Sequence, residues 1–245
     1  ATPELQPCTD GPLRNSPIRA VVITNADVDH VAGLLSLREG QPFALYGSSR
    51  VLATLADNTI FDVLAADKVP RRAFNLEEGI NLHSVLDPLG LRMTPFAVHG
   101  KVALYLEDST AGADFGTEEG DTIGLEISDP VTGSSFFYIP GCAYVDERLA
   151  DRLRNAELVL FDGTLFSDDE MVEQGLSHKT GKRMGHISMS GPNGSIAALA
   201  DLVIKRRVYV HINNSNPVLD EKSDVRKSVE DAGWEIAFDG KEIEL

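Results

Sequence analysis

Residues 18–39 read IRAVVITNADVDHVAGLLSLRE, and three kinds of residue follow one another there. The β-branched apolar run 18–24 comes directly after Pro17 and predicts a buried strand. It ends in the polar cluster Asn25-Ala26-Asp27-Val28-Asp29-His30. Val31, Leu34, Leu35 and Leu37 then recur at helical spacing, which suits a helix of about two turns. A strand, a polar loop and a helix in such close succession predict an α/β fold in which the loop sits at the end of a core strand.

Downstream, the pattern predicts a strand at 43–46 and a helix over 49–64. The middle differs in kind: 91–98, 102–107, 122–128 and 134–139 read as strands, the last two joined by a Pro-Val-Thr-Gly turn, which suggests an antiparallel meander. Residues 111–120 form a Gly-rich loop. Alternation then returns, with helices at 146–155, 168–174, 194–202 and 222–232, strands at 158–162 and 206–212, and a closing Gly-containing hairpin within 234–245. Strand–helix alternation at both ends around antiparallel β predicts two sheets between outer helices, a single αββα sandwich over 1–245. A plain doubly wound sheet is the alternative.

The chain has 245 residues, 42% of them hydrophobic, enough for a full-sized core. No run approaches the roughly 18 apolar residues of a membrane span, and there is no basic start with an apolar run behind it. Lys and Arg total 22 against 38 Asp and Glu, a formal charge of −16, which repels a phosphate backbone and argues against nucleic acid as a partner. The one basic run, Lys205-Arg206-Arg207, reads as the solvated entrance to a strand. Two cysteines, Cys8 and Cys142, fit neither a disulfide framework nor a Cys-only zinc site and suit a reducing cytoplasm. GxxxxGK-Ser/Thr and GxGxxG signatures are absent.

Three strands end in groups that bind metals or move protons: the first at Asp29-His30, the strand 158–162 at Asp162, and the strand from 206 at His211. His186 lies between the last two. Each has an ordinary explanation: a helix cap with a surface His, a turn residue in Asp-Gly-Thr, a buried His satisfied by backbone, a loop residue. Their common position at strand ends, where sites collect in such sheets, favours a shared function. Two imidazoles and a carboxylate on adjoining loops leave open positions on non-haem iron and also suit zinc. His83, His99 and His178 read as surface residues. The amide-rich run Asn213-Asn214-Ser215-Asn216 is either a tight turn or a support for His211 and a ligand.

These residues resemble the metallo-β-lactamase superfamily, whose His-x-His-x-Asp-His signature follows a strand and precedes a helix. Here it reads Asn25-x-Asp27-x-Asp29-His30, so the first two histidines are replaced and the Asp-His is kept. Gly141 or Cys142 stands where relatives place a bridging Asp. The segments DVDHVAGLLSLREGQPF, FYIPGC, LVLFDGTLFSDDEM, RMGHISMSG, GSIAALADL and VHINNSNPVLDE are similar, within that superfamily, to a family that serves synthesis of the redox cofactor pyrroloquinoline quinone (PQQ). That family opens with a strand, a Gly-rich turn and a Cys cluster resembling a structural zinc site. This chain starts at Ala1 in a Pro-rich stretch without them, so the first strands are expected to lie outside it. The resemblance implies one metal, Fe(II) or zinc in a purified form, held by Asp29, His30 and His211, with Asp162 and His186 handling protons. It implies hydroxylation of the tyrosine ring of a Glu–Tyr precursor in the cytoplasm, or, alternatively, carriage of PQQ towards the periplasm. Asn213, Asn214 and Arg183, with Lys182, are the residues expected to contact such an anionic ligand. A two-metal hydrolase is disfavoured, and both a monomer and a homodimer stay open.

Overall fold

The structure is a computed structural model that describes residues 6, 11, 15–112 and 114–245; Cys8 lies outside them. The first β-branched run supplies β1 (Ala20–Val22), which pairs in parallel with β2 (Ala44–Ser48), itself parallel to β3 (Arg71–Phe74). All of β2 is buried because both its faces are covered: Ala44 and Tyr46 enter one apolar cluster and Leu45 another.

The second sheet has seven strands: β4 (Ile80–His83), β5 (Pro88–Ala97), β6 (Ile123–Ser128), β7 (Ser135–Ile139), β8 (Leu158–Asp162), β9 (Arg206–Val210) and β10 (Glu235–Ile236). Their order is β10-β9-β8-β7-β6-β5-β4. The neighbours from β4 to β7 pair antiparallel, and those from β7 to β10 pair in parallel; β5, β6 and β7 are three of the four strands expected in the meander, while β4 takes part unexpectedly.

Helices cover the outer faces. On the small sheet lie α1 (Val28–Val31), a 3-10 turn over Ala32–Leu37, and α2 (Ser49–Asp57), whose Ser48 cap accepts from the Val51 N–H. Along the rest of the chain come α3 (Glu147–Leu153), α4 (Glu170–Glu173), α5 (Gly181–Met184), α6 (Ser195–Ala198) and α7 (Asp224–Asp231). Three buried clusters fill the gaps. One packs Val51, Leu55 and Phe61 behind the small sheet, one joins Tyr46 and Phe74 to Met93 and Leu125 between the sheets, and one sets Leu149, Leu153 and Val229 behind the large sheet. The layers are therefore helix, sheet, sheet, helix, the expected αββα sandwich. Among the described residues no helix is long and apolar enough to cross a membrane.

Several elements depart from expectation. Residues 102–107 form no strand: Leu104–Leu106 is a 3-10 turn closed by Leu106 N–H to Ala103 O at 2.8 Å. The expected helix 49–64 breaks at Asn58, where an extended backbone (ψ 97°) separates α2 from a 3-10 turn over Thr59–Val63. The helix at 168–174 shrinks to α4. The closing hairpin is absent: β10 joins β9 in parallel and no strand follows it. β3 and β4 are four residues each, too short to stand out in the sequence: β3 opens on two arginines, and β4 alternates apolar and polar over only two repeats.

Two features position the functional end. The Ile123 N–H donates to Thr24 O at 3.0 Å and Asn25 bridges Thr122, so the loop after β1 is pinned to the large sheet. In the parallel pair β8/β9, Asp162 lies opposite Val210, which brings Asp162 and His211 to the same carboxyl-end rim.

Candidate metal centre

Three imidazoles and two carboxylates meet at that rim. The Asp29 Oδ2 and His211 Nε2 atoms are 2.9 Å apart, His30 Nε2 and His211 Nε2 are 3.1 Å apart, and His30 Nε2 is 3.9 Å from Asp29 Oδ2. A point equidistant from these three atoms lies about 2.0 Å from each, the length of a bond from zinc to His nitrogen or carboxylate oxygen. The donor set thus fits a single divalent cation, and Asp29, with its side chain 63% exposed, faces open space on its other side.

Each ring is oriented by its other nitrogen. His30 Nδ1 lies 3.3 Å from the Thr24 hydroxyl, and His211 Nδ1 lies 2.9 Å from the Thr164 hydroxyl. A ring donating from Nδ1 to a threonine oxygen presents Nε2 to the shared point, the arrangement by which metal-binding histidines are commonly held. Burial, with His211 beside it, lowers the His30 pKa and favours the neutral ring a metal requires. In the other tautomer Nε2 of His211 carries the proton and donates to Asp29, and that hydrogen bond holds the Asp29 carboxyl down at about 2. His211 has a left-handed backbone (φ 53°), a conformation costing about 1–2 kcal/mol for a residue with a Cβ. The Asn213 N–H donates to Thr164 O at 3.1 Å and tethers that turn.

Asp162 is built differently. It is fully buried, and both its oxygens are occupied: Oδ2 accepts from the Cys142 N–H at 2.9 Å and His186 Nδ1 at 2.7 Å, Oδ1 from the Thr164 N–H at 3.1 Å and hydroxyl at 2.7 Å. Gly163, between them, donates to Val210 O at 2.8 Å, and a Cβ there would come within 2.9 Å of both Val210 O and Tyr209 Cβ. Only glycine lets β8 run on this close to β9 and turn both Asp162 and Thr164 inward. Burial works against charge in this pair, but the 2.7 Å contact wins: the His186 pKa is raised by Asp162, and that of Asp162 lowered by His186. The ring of His186 stacks 5.5 Å from that of His211. Asp162, His186 and His211 form a second group within metal-binding distance. As a ligand there, Asp162 would have to give up hydrogen bonds it makes while buried, which makes the first set the better-fitting one.

Asn25 and Asp27, where the superfamily signature has histidines, are spent on backbone: Asn25 Oδ1 accepts from the Asp27 N–H, and Asp27 Oδ1 from the Leu104 N–H. Cys142 sends its thiol to Tyr144 O at 3.2 Å, and burial pushes its pKa up, so it offers Asp162 a backbone N–H and the centre no thiolate.

A cavity of about 630 Å³ opens above the centre. Asp29, His30, His186, His211, Asn213 and Asn214 line it together. Asn216, the third amide of that run, is buried and donates to Gly163 O and Thr164 O, clamping the two loops. Arg183 lines an adjoining depression instead: its guanidinium grips Glu107 at 2.7 and 2.9 Å and lies over Phe115. The cations that face the centre are Lys101 and Lys179, which the sequence reading missed along with Thr24 and Thr164. His99 is tied to Asp146 at 2.8 Å and stacked on Tyr144, and His83 lies on β4. Neither they nor His178 joins a metal-binding group among the described residues.

Comparison with known proteins agrees with this architecture. The sequence-family model described as a beta-lactamase superfamily domain matches residues 1–212. Coenzyme PQQ synthesis protein B of Methylorubrum extorquens is 52% identical over 246 residues, covering 100% of this chain and 78% of the relative. Its counterpart in Bradyrhizobium diazoefficiens is 49% identical over 247 residues, covering 100% and 79%. The crystal structure of Zn(2+)-bound PqqB from Methylobacterium extorquens superposes with a TM-score of 0.88 at 50% identity, covering 100% of this chain and 78% of that one. A diphosphatase of the PhnP family shares the fold at a TM-score of 0.60 and 18% identity, covering 93% of this chain and 72% of that one.

Proposed function

The chain belongs to the coenzyme PQQ synthesis protein B family of the β-lactamase superfamily, and from that premise we propose that it is an Fe(II)-dependent hydroxylase acting on the tyrosine ring of a Glu–Tyr precursor of PQQ. The observation that carries this reading is the donor set itself: one carboxylate and two imidazoles, Asp29, His30 and His211, spaced for one cation beneath an open cavity. That set leaves coordination positions free for dioxygen and substrate. The zinc in the related crystal structure supports metal binding by this family's fold. Zinc has no redox chemistry, and Fe(II) in its place would supply the electron transfer that lets dioxygen react with an aromatic ring.

The chain's own groups do the rest. Thr24 and Thr164 hold the two imidazoles in the ligand orientation. Asp162 fixes His186 through Nδ1 and turns Nε2 of that ring outward, where it can take the phenol proton and return it. Insertion of one oxygen atom into a ring C–H sends the other to water, with two electrons and two protons drawn from an external reductant. Reconstitution of the full-length protein with Fe(II) under anaerobic conditions, then exposure to oxygen with ascorbate and Glu–Tyr, tests it. A product heavier by one or two oxygen atoms is expected; unchanged dipeptide with stoichiometric iron bound would sink the reading. A carrier of PQQ without turnover is the second reading, favoured by the lysines that face the cavity, since PQQ is anionic.

A further inference from the structure

In a chain of net charge −16, three of the 22 cationic side chains converge on one carboxylate beside the candidate metal centre. Glu107 Oε1 accepts from Lys101 Nζ at 3.2 Å and Arg183 Nη1 at 2.9 Å, Oε2 accepts from Arg183 Nη2 at 2.7 Å, and Lys179 Nζ stands 3.9 Å from Oε2. Three positive charges thus surround one negative. Arg183 holds the Glu107 carboxyl at about 2, so Glu107 stays ionised and keeps the three cations together.

The three cations are not equivalent. Arg183 uses its planar fork on Glu107 and its face on Phe115, 3.7 Å from the ring centroid. Lys101 donates to Glu107 and to Val102 O. Lys179 is one-third exposed, makes no side-chain hydrogen bond among the described residues, and lines the same cavity as Asp29, His30 and His211. An ammonium has three donors, and here all three are unspent. Gly185 (φ 88°) adds a second constraint: a Cβ there would sit 2.9 Å from Lys101 Cγ, so the absence of a side chain lets Lys101 reach across the rim. Leu104, Met184 and Ile212 supply an apolar wall to the cavity. The carboxylates facing it are Asp29, which belongs to the donor set, and Asp27, one of whose oxygens is engaged by Leu104 N–H.

We propose that Lys179, with Lys101 behind it and Glu107 holding the pair in place, binds a carboxylate of the substrate while the aryl group lies along Leu104, Met184 and Ile212. This rests on the reading of the cavity as the site for an acidic aromatic dipeptide, and extends it to the groups that choose the substrate. A charge-assisted contact of this kind discriminates strongly against the uncharged analogue.

The test uses full-length protein loaded with Zn(II), so that binding is read without turnover, and titrates Glu–Tyr, Gln–Tyr and Glu–Tyr amide by calorimetry. Wild-type protein is expected to prefer Glu–Tyr over at least one neutralised analogue, and Lys179→Met to lose that preference by weakening Glu–Tyr about tenfold or more, with zinc stoichiometry unchanged. Lys179→Arg should restore it, and Lys101→Met should reproduce the loss in part. No difference between wild type and Lys179→Met, including failure of both to bind, overturns the proposal. Binding of Glu–Tyr that depends on Lys179 but leads to no hydroxylation in the Fe(II) protein would instead sink the hydroxylase reading and leave the lysine site standing.

Discussion

Asp29 and Asp162 are both carboxylates at strand ends beside a histidine, yet their surroundings make them opposites. Asp29 is 63% exposed with its donor atoms towards the cavity, while Asp162 is fully buried with four hydrogen bonds on its two oxygens. A carboxylate whose lone pairs are all engaged in a dry interior is an anchor; one with lone pairs facing a cavity is a ligand in waiting. The difference lies in what the neighbouring chain donates, and His211 stands between the two, touching Asp29 through Nε2 and Thr164 through Nδ1.

Breaking the shared element should have the largest effect. His211→Ala removes the residue common to both candidate groups, and a drop in Zn(II) or Fe(II) affinity of at least about 100-fold is expected, with far-UV dichroism and the unfolding transition retained. Wild-type affinity in that variant would dissolve the assignment.

The carboxylates themselves should then separate. Asp162→Asn leaves an amide where the Cys142 N–H and His186 need an acceptor, and should cost about 3 kcal/mol or more in urea unfolding. Asp29→Asn should change stability by only about 0.5 kcal/mol while weakening the metal. Equal stability losses in the two variants would erase the distinction between anchor and ligand.

The smallest effect tests the link between the two halves. Thr164→Val keeps the shape but removes the hydroxyl that joins Asp162 to His211, and metal affinity should fall about 10–100-fold, with Thr164→Ser restoring it. A Thr164→Val protein that binds metal as well as wild type would show that His211 needs no such support.

The outline of this site was legible because its residues end strands. The runs at 18–24, 158–162 and 206–210 announce themselves by β-branched and apolar content, and the polar residue terminating each is then conspicuous. The threonines were not legible: Thr24 is an ordinary strand residue by composition, and Thr164 reads as part of an Asp-Gly-Thr turn. Their hydroxyls matter only because the parallel register of β8 and β9 and the pinning of β1 to β6 bring the rings within about 3 Å. Residues 102–107 misled because an apolar run looks like a strand, while here Ala103 is buried and Leu104 and Leu106 are half-exposed along a 3-10 turn that walls the cavity. Arg183 beside His186 is a reasonable sequence candidate for anion binding, but Glu107, 76 residues away, takes its fork.

By itself the sequence determined the α/β class, three strands of the meander, the acidic composition, four chemically capable residues at or near strand ends and a fifth, His186, between two of those strands, because those follow from local periodicity and side-chain chemistry. Tertiary structure alone decided which carboxylate faces the cavity and which is locked away, which lysines face that cavity, and which nitrogen each imidazole presents. Those depend on hydrogen-bond partners from 2 to 182 residues apart, and a hydrogen bond is set by distance in space, on which separation along the chain has no bearing.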